Sequence, residues 1–274
     1  MLKQRVITAV ILASVFFTAQ FGLPTLYFAG LCLTALMAAV YEWGKLAGMH
    51  PTASSALAGG ALLVGLVLLF NPGLSALRGF PDPLVLALCG AATAFWIVVA
   101  PLWLRFGWTT RRPSTMAILG VLVVLALWMA MTQLHARSPW LLLAALLVVW
   151  IADTAAYFAG RQFGRRKLAP AISPGKSWEG VYGALAAVFV YAALLVLFSP
   201  LGSGAGLWRP LIVVCALALA AVSVVGDLFE SWMKRQAGVK DSGTALPGHG
   251  GVLDRIDALL PALPVATLLV VLVS

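Results

Sequence analysis

Apolar segments long enough to cross a lipid bilayer recur along the whole 274-residue chain. Hydrophobic residues make up 62% of the sequence and charged residues 10%, whereas a water-facing surface usually needs roughly 25% charged residues. A spanning helix needs about 20 mostly apolar residues. Nine segments meet this requirement, at 6–22, 24–46, 55–71, 83–104, 114–133, 138–160, 178–198, 207–230 and 252–273. The sequence therefore predicts an all-α fold, a polytopic integral membrane helical bundle with about nine transmembrane helices.

The basic residues are distributed unevenly between the loops of this predicted bundle. If the N-terminus is cytoplasmic, 15 of the 18 Lys and Arg residues lie on the cytoplasmic side, and the other side holds Arg78, Arg137 and Arg209. Cytoplasmic loops of membrane proteins carry an excess of Lys and Arg, so this asymmetry supports a cytoplasmic N-terminus. Topology also explains the net charge of +9, and no nucleic-acid partner is expected.

The carboxylates are concentrated in the second half of the chain. Seven of the nine acidic residues follow position 150, namely Asp153, Glu179, Asp227, Glu230, Asp241, Asp254 and Asp257. A carboxylate near the membrane core costs at least ~2.5 kcal/mol, and such residues usually face a cavity and serve a function. We therefore predict that residues 1–137 form a lipid-facing scaffold. Residues 138–274 would carry the active site within the same membrane unit, with no soluble domain.

The eighth segment ends in a polar face. The i, i+3, i+4 and i+7 spacing that defines one side of a helix is occupied by Asp227, Glu230, Ser231 and Lys234. Asp254 and Asp257, spaced i, i+3 in the ninth segment, can point toward that side. Carboxylates that converge with basic side chains suit Mg²⁺, which is usually held by one or two carboxylates together with substrate phosphates and water. Gly250 and Gly251 would let the backbone approach an anion near a helix N-terminus.

The loop between the sixth and seventh segments carries a second group of polar residues. Asp153 lies near the end of the sixth segment, and Ser173, Lys176 and Ser177 precede the seventh. The Gly-Lys-Ser triplet that contains Lys176 is not a P-loop, because position 170 is proline where that motif needs glycine and no strand is predicted before it. Ser173 or Ser177 could cap the seventh helix, whose N-terminal amides and Lys176 would together attract a phosphate.

The run from Ser231 to Asp257, SWMKRQAGVKDSGTALPGHGGVLDRID, resembles the signature of the phosphatidate cytidylyltransferase (CDP-diglyceride synthase) family. The matching positions are Ser231, Lys234-Arg235, Lys240-Asp241, Pro247, His249-Gly250-Gly251, Asp254-Arg255 and Asp257. Segments 153–168 and 173–180 resemble the same family. Gly175 departs from it, since Lys or Asn is commoner there, so the contacts to the nucleotide stay open.

The resemblance implies a reaction, its substrates and a cofactor. The substrates would be phosphatidic acid, a membrane lipid, and CTP, and the products CDP-diacylglycerol and pyrophosphate. The cofactor would be Mg²⁺, with the option of a second cation. A multi-pass protein of the bacterial cytoplasmic (inner) membrane is expected, with its active site facing the cytoplasm, and a homodimer is compatible with the family. An anion transporter and a CTP-dependent lipid kinase remain open as alternatives.

Three groups of site residues follow. The predicted metal ligands are Asp227 and Asp254, which the resemblance associates with the metal centre, together with Asp257. The predicted catalytic residues are Asp227, Asp254, Lys234, Arg235, His249 and Arg255. The predicted substrate-binding residues are Ser173, Lys176, Ser177, Asp153, Ser231, Lys240, Asp241, Gly250 and Gly251. For His249 two roles stay open, either contact with the reacting phosphates or organisation of the glycine turn.

Overall fold

Long helices account for most of the computed structural model, which describes residues 2–71, 79–109, 112–198 and 208–273. Of the basic residues counted above, Arg78 and Arg111 lie outside this description, as do the side chains of Lys3 and Arg5. The helices are α1 (Leu2–Gly22), α2 (Thr25–Leu46), α3 (Pro51–Phe70), α4 (Asp82–Ala94), α5 (Ala100–Phe106), α6 (Pro113–Arg137), α7 (Pro139–Phe163), α8 (Trp178–Phe198), α9 (Trp208–Gln236), α10 (Leu253–Ile256) and α11 (Leu259–Val273). A π-helical turn, Phe95–Val99, joins α4 to α5.

Among the described residues, seven helical stretches are long and apolar enough to cross a membrane: α2, α3, α4 through α5, α6, α7, α8 and α9. The apolar part of α1 (Val6–Gly22) and α11 are shorter apolar helices. The prediction of an all-α polytopic membrane protein is therefore confirmed in its main features. The count of nine spans and the cytoplasmic N-terminus stay predictions.

Helix α6 lies at the centre of the bundle. Of its most apolar stretch, 72% is buried, against 17% to 50% in the other six spanning stretches. It packs against α2, α4, α7 and α11. Helices α7, α8 and α9 pack against one another, and α11 packs against α6, α7 and α9, so the segments predicted to carry the site form one continuous part of the bundle.

A small antiparallel hairpin connects α7 to α8 and departs from the predicted all-helical fold. Its strands are β1 (Lys167–Ala169) and β2 (Ser173–Ser177). Prolines at positions 170 and 174 explain the departure, because proline lacks the amide hydrogen that a helix interior requires. The Glu179 carboxylate accepts hydrogen bonds from the Arg165 and Arg166 amides, at 3.1 and 3.2 Å, and so ties the start of the hairpin to the first turn of α8.

The predicted helix 252–273 is interrupted at Asp257. Helix α10 ends at Ile256 and α11 begins at Leu259. Pro261 explains the break, because its ring lacks an amide hydrogen and collides with the carbonyl group four residues earlier, which is that of Asp257. A Cβ atom on Gly226 of α9 would collide with the same carbonyl oxygen and lie 2.7 Å from Pro261 Cδ. Backbone contact at this glycine therefore sets the α10–α11 junction directly against α9.

An aromatic cluster fixes the polar end of α9 to the first half of the chain. The buried Phe229 ring packs at centroid distances of 5.4 to 6.1 Å against Trp43, Phe95, Trp96, Trp103 and Trp232. Burying rings of this size contributes strongly to core stability. The next residue, Glu230, is therefore held in a well-packed position.

Candidate active site

Four of the aspartates singled out from the sequence line one cavity of about 500 Å³. Asp153 comes from α7, Asp227 from α9, Asp254 from α10, and Asp257 from the break before α11. We call this the aspartate cavity. Its wall also includes Tyr157, Arg161, Ser173, Lys176 and Ser177. Tyr157 and Arg161 were not predicted as site residues, although both lie within the first segment that resembles the family.

Lys176 and Asp227 form an ion pair across the aspartate cavity. Strand β2 places Lys176 opposite α9, and the Ser231 hydroxyl donates a hydrogen bond of 3.4 Å to Asp227 Oδ1. The Arg235 side chain donates through Nε to the Ile172 carbonyl oxygen, at 3.3 Å. The Lys176 and Arg235 side chains thus both join the hairpin to α9. Arg235 does so by binding a backbone carbonyl group, and it does not appear on the described wall of the cavity.

The first turn of α8 confirms one of the two predicted caps. Ser177 Oγ accepts a hydrogen bond from the Gly180 amide, at 3.2 Å, the contact expected of a residue immediately before a helix. Ser173 lies in β2, on the cavity wall, and does not reach the helix start. Its predicted role in substrate binding remains a prediction, as does that of Ser177.

Asp254 is held by three donors. Its Oδ1 atom lies 2.8 Å from Lys234 Nζ, and its Oδ2 atom accepts hydrogen bonds from the Ser242 and Gly251 amides, at 3.0 and 2.8 Å. Burial disfavours the charged carboxylate, but the Lys234 ammonium group and the Gly251 amide outweigh burial and lower the pKa of Asp254 to about 2. The side chain is therefore a carboxylate throughout the physiological range.

Lys234 lies between two buried carboxylates. Its Nζ atom is 2.5 Å from Glu230 Oε2 and 2.8 Å from Asp254 Oδ1. The exposed fractions of the three side chains are 15% for Lys234, 2% for Glu230 and 6% for Asp254. The i, i+4 contact between Glu230 and Lys234 confirms the predicted polar face of α9. Lys234 does not appear on the described wall of the aspartate cavity. It acts on the cavity by binding Asp254, which lines that wall.

A second cavity, of about 700 Å³, contains other residues of the predicted site. Asp241, His249, Gly250 and Arg255 line it. The Arg255 guanidinium donates two hydrogen bonds to the His249 carbonyl oxygen, at 3.0 and 2.6 Å, and so organises the glycine turn. Lys240 is exposed and lies on the described wall of neither cavity. The structure thus places part of the predicted residues on each of two neighbouring cavities and leaves Lys234, Arg235 and Lys240 on the described wall of neither.

Glu42 is a site-associated residue that the sequence reasoning missed. It lies in α2, is 3% exposed, and accepts hydrogen bonds from the Val252 and Leu253 amides at the start of α10, at 3.1 and 2.8 Å. Of the amides near this helix start, that of Gly251 therefore binds Asp254, and those of Val252 and Leu253 bind Glu42, so carboxylates of the chain itself occupy all three. A lone acidic residue inside an apolar segment was the available signal.

The donor set of the aspartate cavity fits a hard cation such as Mg²⁺. Burial and the nearby Asp227 carboxylate raise the pKa of Asp257 well above its ordinary value, and no Lys or Arg pairs with Asp257 in the described part of the chain. A cation would relieve this repulsion. Among the described residues, no three His, Cys, Asp or Glu side chains form a ready-made metal site. Substrate phosphates and water would have to complete the coordination, as is usual for Mg²⁺.

Comparison with known proteins supports the resemblance seen around Ser231 to Asp257. The sequence profile of the Cytidylyltransferase family matches residues 3–273. A phosphatidate cytidylyltransferase of Pseudomonas aeruginosa is 38% identical over 267 residues, which cover 97% of this chain and 95% of that protein. Proteins of the same name from Haemophilus influenzae and Brucella suis are each 37% identical, over 96% and 95% of this chain and 96% and 90% of their own lengths. The chain therefore belongs to the Cytidylyltransferase family.

Proposed function

We propose that this protein is a phosphatidate cytidylyltransferase, which transfers CMP from CTP to phosphatidic acid and yields CDP-diacylglycerol and pyrophosphate. One observation carries the proposal. In a chain that aligns almost end to end with relatives of that name, four aspartates and Lys176 line a single cavity at the end of the bundle where α7 and α9 finish and α8 begins. Asp254 and Asp257 of the signature run share this cavity with Asp153 and Lys176 from the two other segments that resemble the family, which supports the proposal.

The proposed reaction joins two anions, so charge neutralisation and alignment are its main requirements. A phosphate oxygen of phosphatidic acid attacks the α-phosphorus of CTP. A new P–O bond forms, the bond from the α-phosphorus to the oxygen bridging to the β-phosphorus breaks, and pyrophosphate leaves with that electron pair. The lipid phosphate is already ionised near neutral pH, so no strong base is needed. Lys176 and Arg161, on the cavity wall, would neutralise phosphate oxygens and align the reactants.

We further propose that Asp227, Asp254 and Asp257 would hold Mg²⁺. Their carboxylate oxygens are the ligands that this ion prefers, and all three line the aspartate cavity. The bound ion would supply positive charge to the phosphates of CTP. A second cation remains part of the proposal, because Asp153 adds a fourth carboxylate to the same wall.

The proposed orientation places the aspartate cavity at the cytoplasmic face of a bacterial inner membrane, where CTP is available. The basic residues 165–167 lie in the connection between α7 and α8, at the cavity end of the bundle, which agrees with the excess of Lys and Arg in cytoplasmic loops. With nine spans this orientation gives a cytoplasmic N-terminus. A homodimer remains a prediction.

The position of a radioactive label distinguishes the proposed reaction from its alternatives. Purified protein in detergent, incubated with phosphatidic acid, Mg²⁺ and CTP, is expected to transfer label from [α-³²P]CTP to the lipid and none from [γ-³²P]CTP. Thin-layer chromatography of the extracted lipid measures both. Label from the γ position would show a lipid kinase, and the absence of label from both positions would favour the anion transporter.

Chelation of divalent cations is expected to stop the reaction and to lower the thermal stability of the protein. A ligand that binds only the folded state raises the apparent stability by mass action, so added Mg²⁺ should raise Tm after treatment with EDTA. The measurement is thermal unfolding in detergent beside label transfer. An Asp257→Asn variant should lose most of the Mg²⁺-dependent rise in Tm, and an undiminished rise would remove Asp257 from the proposed ligands.

A further inference from the structure

The carboxylate of Glu42 connects the first half of the chain to the loop that joins α9 to α10. Besides the Val252 and Leu253 amides, it accepts a hydrogen bond of 3.0 Å from the Ser242 hydroxyl. These partners lie 200 to 211 positions away in sequence. Within residues 2–71, 79–109, 112–198 and 208–273, no Lys, Arg or His side chain forms an ion pair with Glu42. The loop therefore supplies the three hydrogen bonds described for this carboxylate, and Glu42 holds the loop at Ser242 and at its junction with α10.

Ser242 links Glu42 directly to the aspartate cavity. While its hydroxyl donates to Glu42, its backbone amide donates to Asp254 Oδ2, at 3.0 Å. Asp254 in turn binds Lys234. A displacement of the Glu42 carboxylate would therefore remove a hydrogen bond that holds Ser242, whose backbone amide is one of the three donors to Asp254.

The loop also fits closely around Glu42. A Cβ atom on Gly243 would lie 2.8 Å from the Glu42 carboxyl carbon, and one on Gly251 would lie 2.7 Å from the same atom. Only glycine leaves enough space at these two positions. The loop therefore has little freedom to adopt another path while Glu42 is in place.

We propose that Glu42 is a positioning residue of the active site, whose buried carboxylate sets the orientation of Asp254 through Ser242. The expected loss of CMP transfer rests on the proposed function. The expected loosening of the loop does not. Burying an unpaired carboxylate is costly, and three hydrogen bonds from the loop compensate that cost. The first half of the chain thus supplies a determinant of catalytic geometry.

The test is Glu42→Gln, which preserves length and shape. The amide nitrogen that replaces one carboxylate oxygen cannot accept a hydrogen bond, so at least one loop donor loses its acceptor. We expect kcat for CMP transfer to fall about 100-fold, the size of effect that a small misplacement of reacting groups produces. The KM for CTP should change by less than about threefold, because Glu42 does not contact the cavity. Hydrogen exchange of peptides covering 242–253 should accelerate, while exchange in α6 stays unchanged.

Matched variants separate positioning from general damage. Asp82→Asn changes the other acidic residue of the first half, whose side chain is 59% exposed, and should leave kcat and exchange unchanged. Ser242→Ala should lower kcat by about tenfold, as expected for one hydrogen bond to a charged group, and should add little to Glu42→Gln.

A Glu42→Gln protein with unchanged kcat and unchanged exchange in 242–253 would overturn the inference. If wild-type protein transfers no label, the proposed function is wrong, and exchange alone still decides whether Glu42 holds the loop.

Discussion

Asp254→Asn is expected to abolish CMP transfer and to destabilise the protein at the same time. The substitution removes one of the three carboxylates proposed to hold Mg²⁺, and turnover should fall by about 10³-fold, as for the loss of a preorganised electrostatic group. An asparagine amide group also cannot accept hydrogen bonds through both of its terminal atoms. Either Lys234 or the Ser242 and Gly251 amides therefore lose their acceptor.

The stability effect distinguishes Asp254 from a residue that only binds metal. Removing one partner of a buried ion pair typically costs about 3–5 kcal/mol, and Asp254 is 6% exposed. Thermal unfolding in detergent, with EDTA present so that metal binding plays no part, should show a clear fall in Tm. Asp82→Asn serves as the exposed control. An Asp254→Asn protein with normal Tm and more than one-tenth of wild-type turnover would contradict both proposed roles.

Asp227→Asn is expected to reduce turnover by a similar factor while leaving the fold nearly intact. Asp227 is one of the proposed metal ligands, so its loss should cost about 10³-fold in kcat/KM. Its ion pair with Lys176 is partly exposed, at 31% and 23% for the two side chains. Such pairs contribute about 1 kcal/mol or less, so Tm measured in EDTA should change little.

The partner of Asp227 provides the matched control. Lys176→Gln removes the cation of the same ion pair and leaves all four aspartates of the cavity in place. It should therefore weaken substrate binding while preserving the Mg²⁺-dependent rise in Tm, which Asp227→Asn should lose. Equal loss of that rise in both variants would show that the ion pair, rather than the Asp227 carboxylate, supports the metal.

Periodicity and composition predicted the helices and the polar face of α9 because both depend on local spacing. Most predicted apolar segments coincide with one helix, whereas 83–104 contains a π-helical turn and 252–273 is divided at Asp257. The Glu230–Lys234 contact follows directly from the i, i+4 relation. The convergence of Asp227, Asp254 and Asp257 on one cavity agrees with the prediction from helical spacing, because the cost of burying carboxylates restricts where they occur in a membrane protein. Helical spacing did not predict the presence of Asp153 on the same wall, since it belongs to a separate helix.

Features that depend on contacts between distant segments were not predictable in the same way. Glu42 accepts hydrogen bonds from residues at least 200 positions away. No local sequence pattern indicates such a contact. The break at Asp257 arises from Pro261 together with the close approach of Gly226, so the proline alone did not reveal where the helix would stop. The division of the signature residues between two cavities likewise depends on how the α9–α10 loop folds back, which spacing does not determine.

The hydrogen bond between Glu42 and the Leu253 amide spans 211 positions, and this separation has a consequence for biosynthesis. Chains are made from the N-terminus, so α2 leaves the ribosome long before the segment that donates hydrogen bonds to its buried Glu42 side chain. Until that segment docks, the acid has no backbone donor, and a half-made chain has neither the loop nor the aspartates that follow it. The aspartate cavity can therefore be completed only after α9, α10 and α11 have been made.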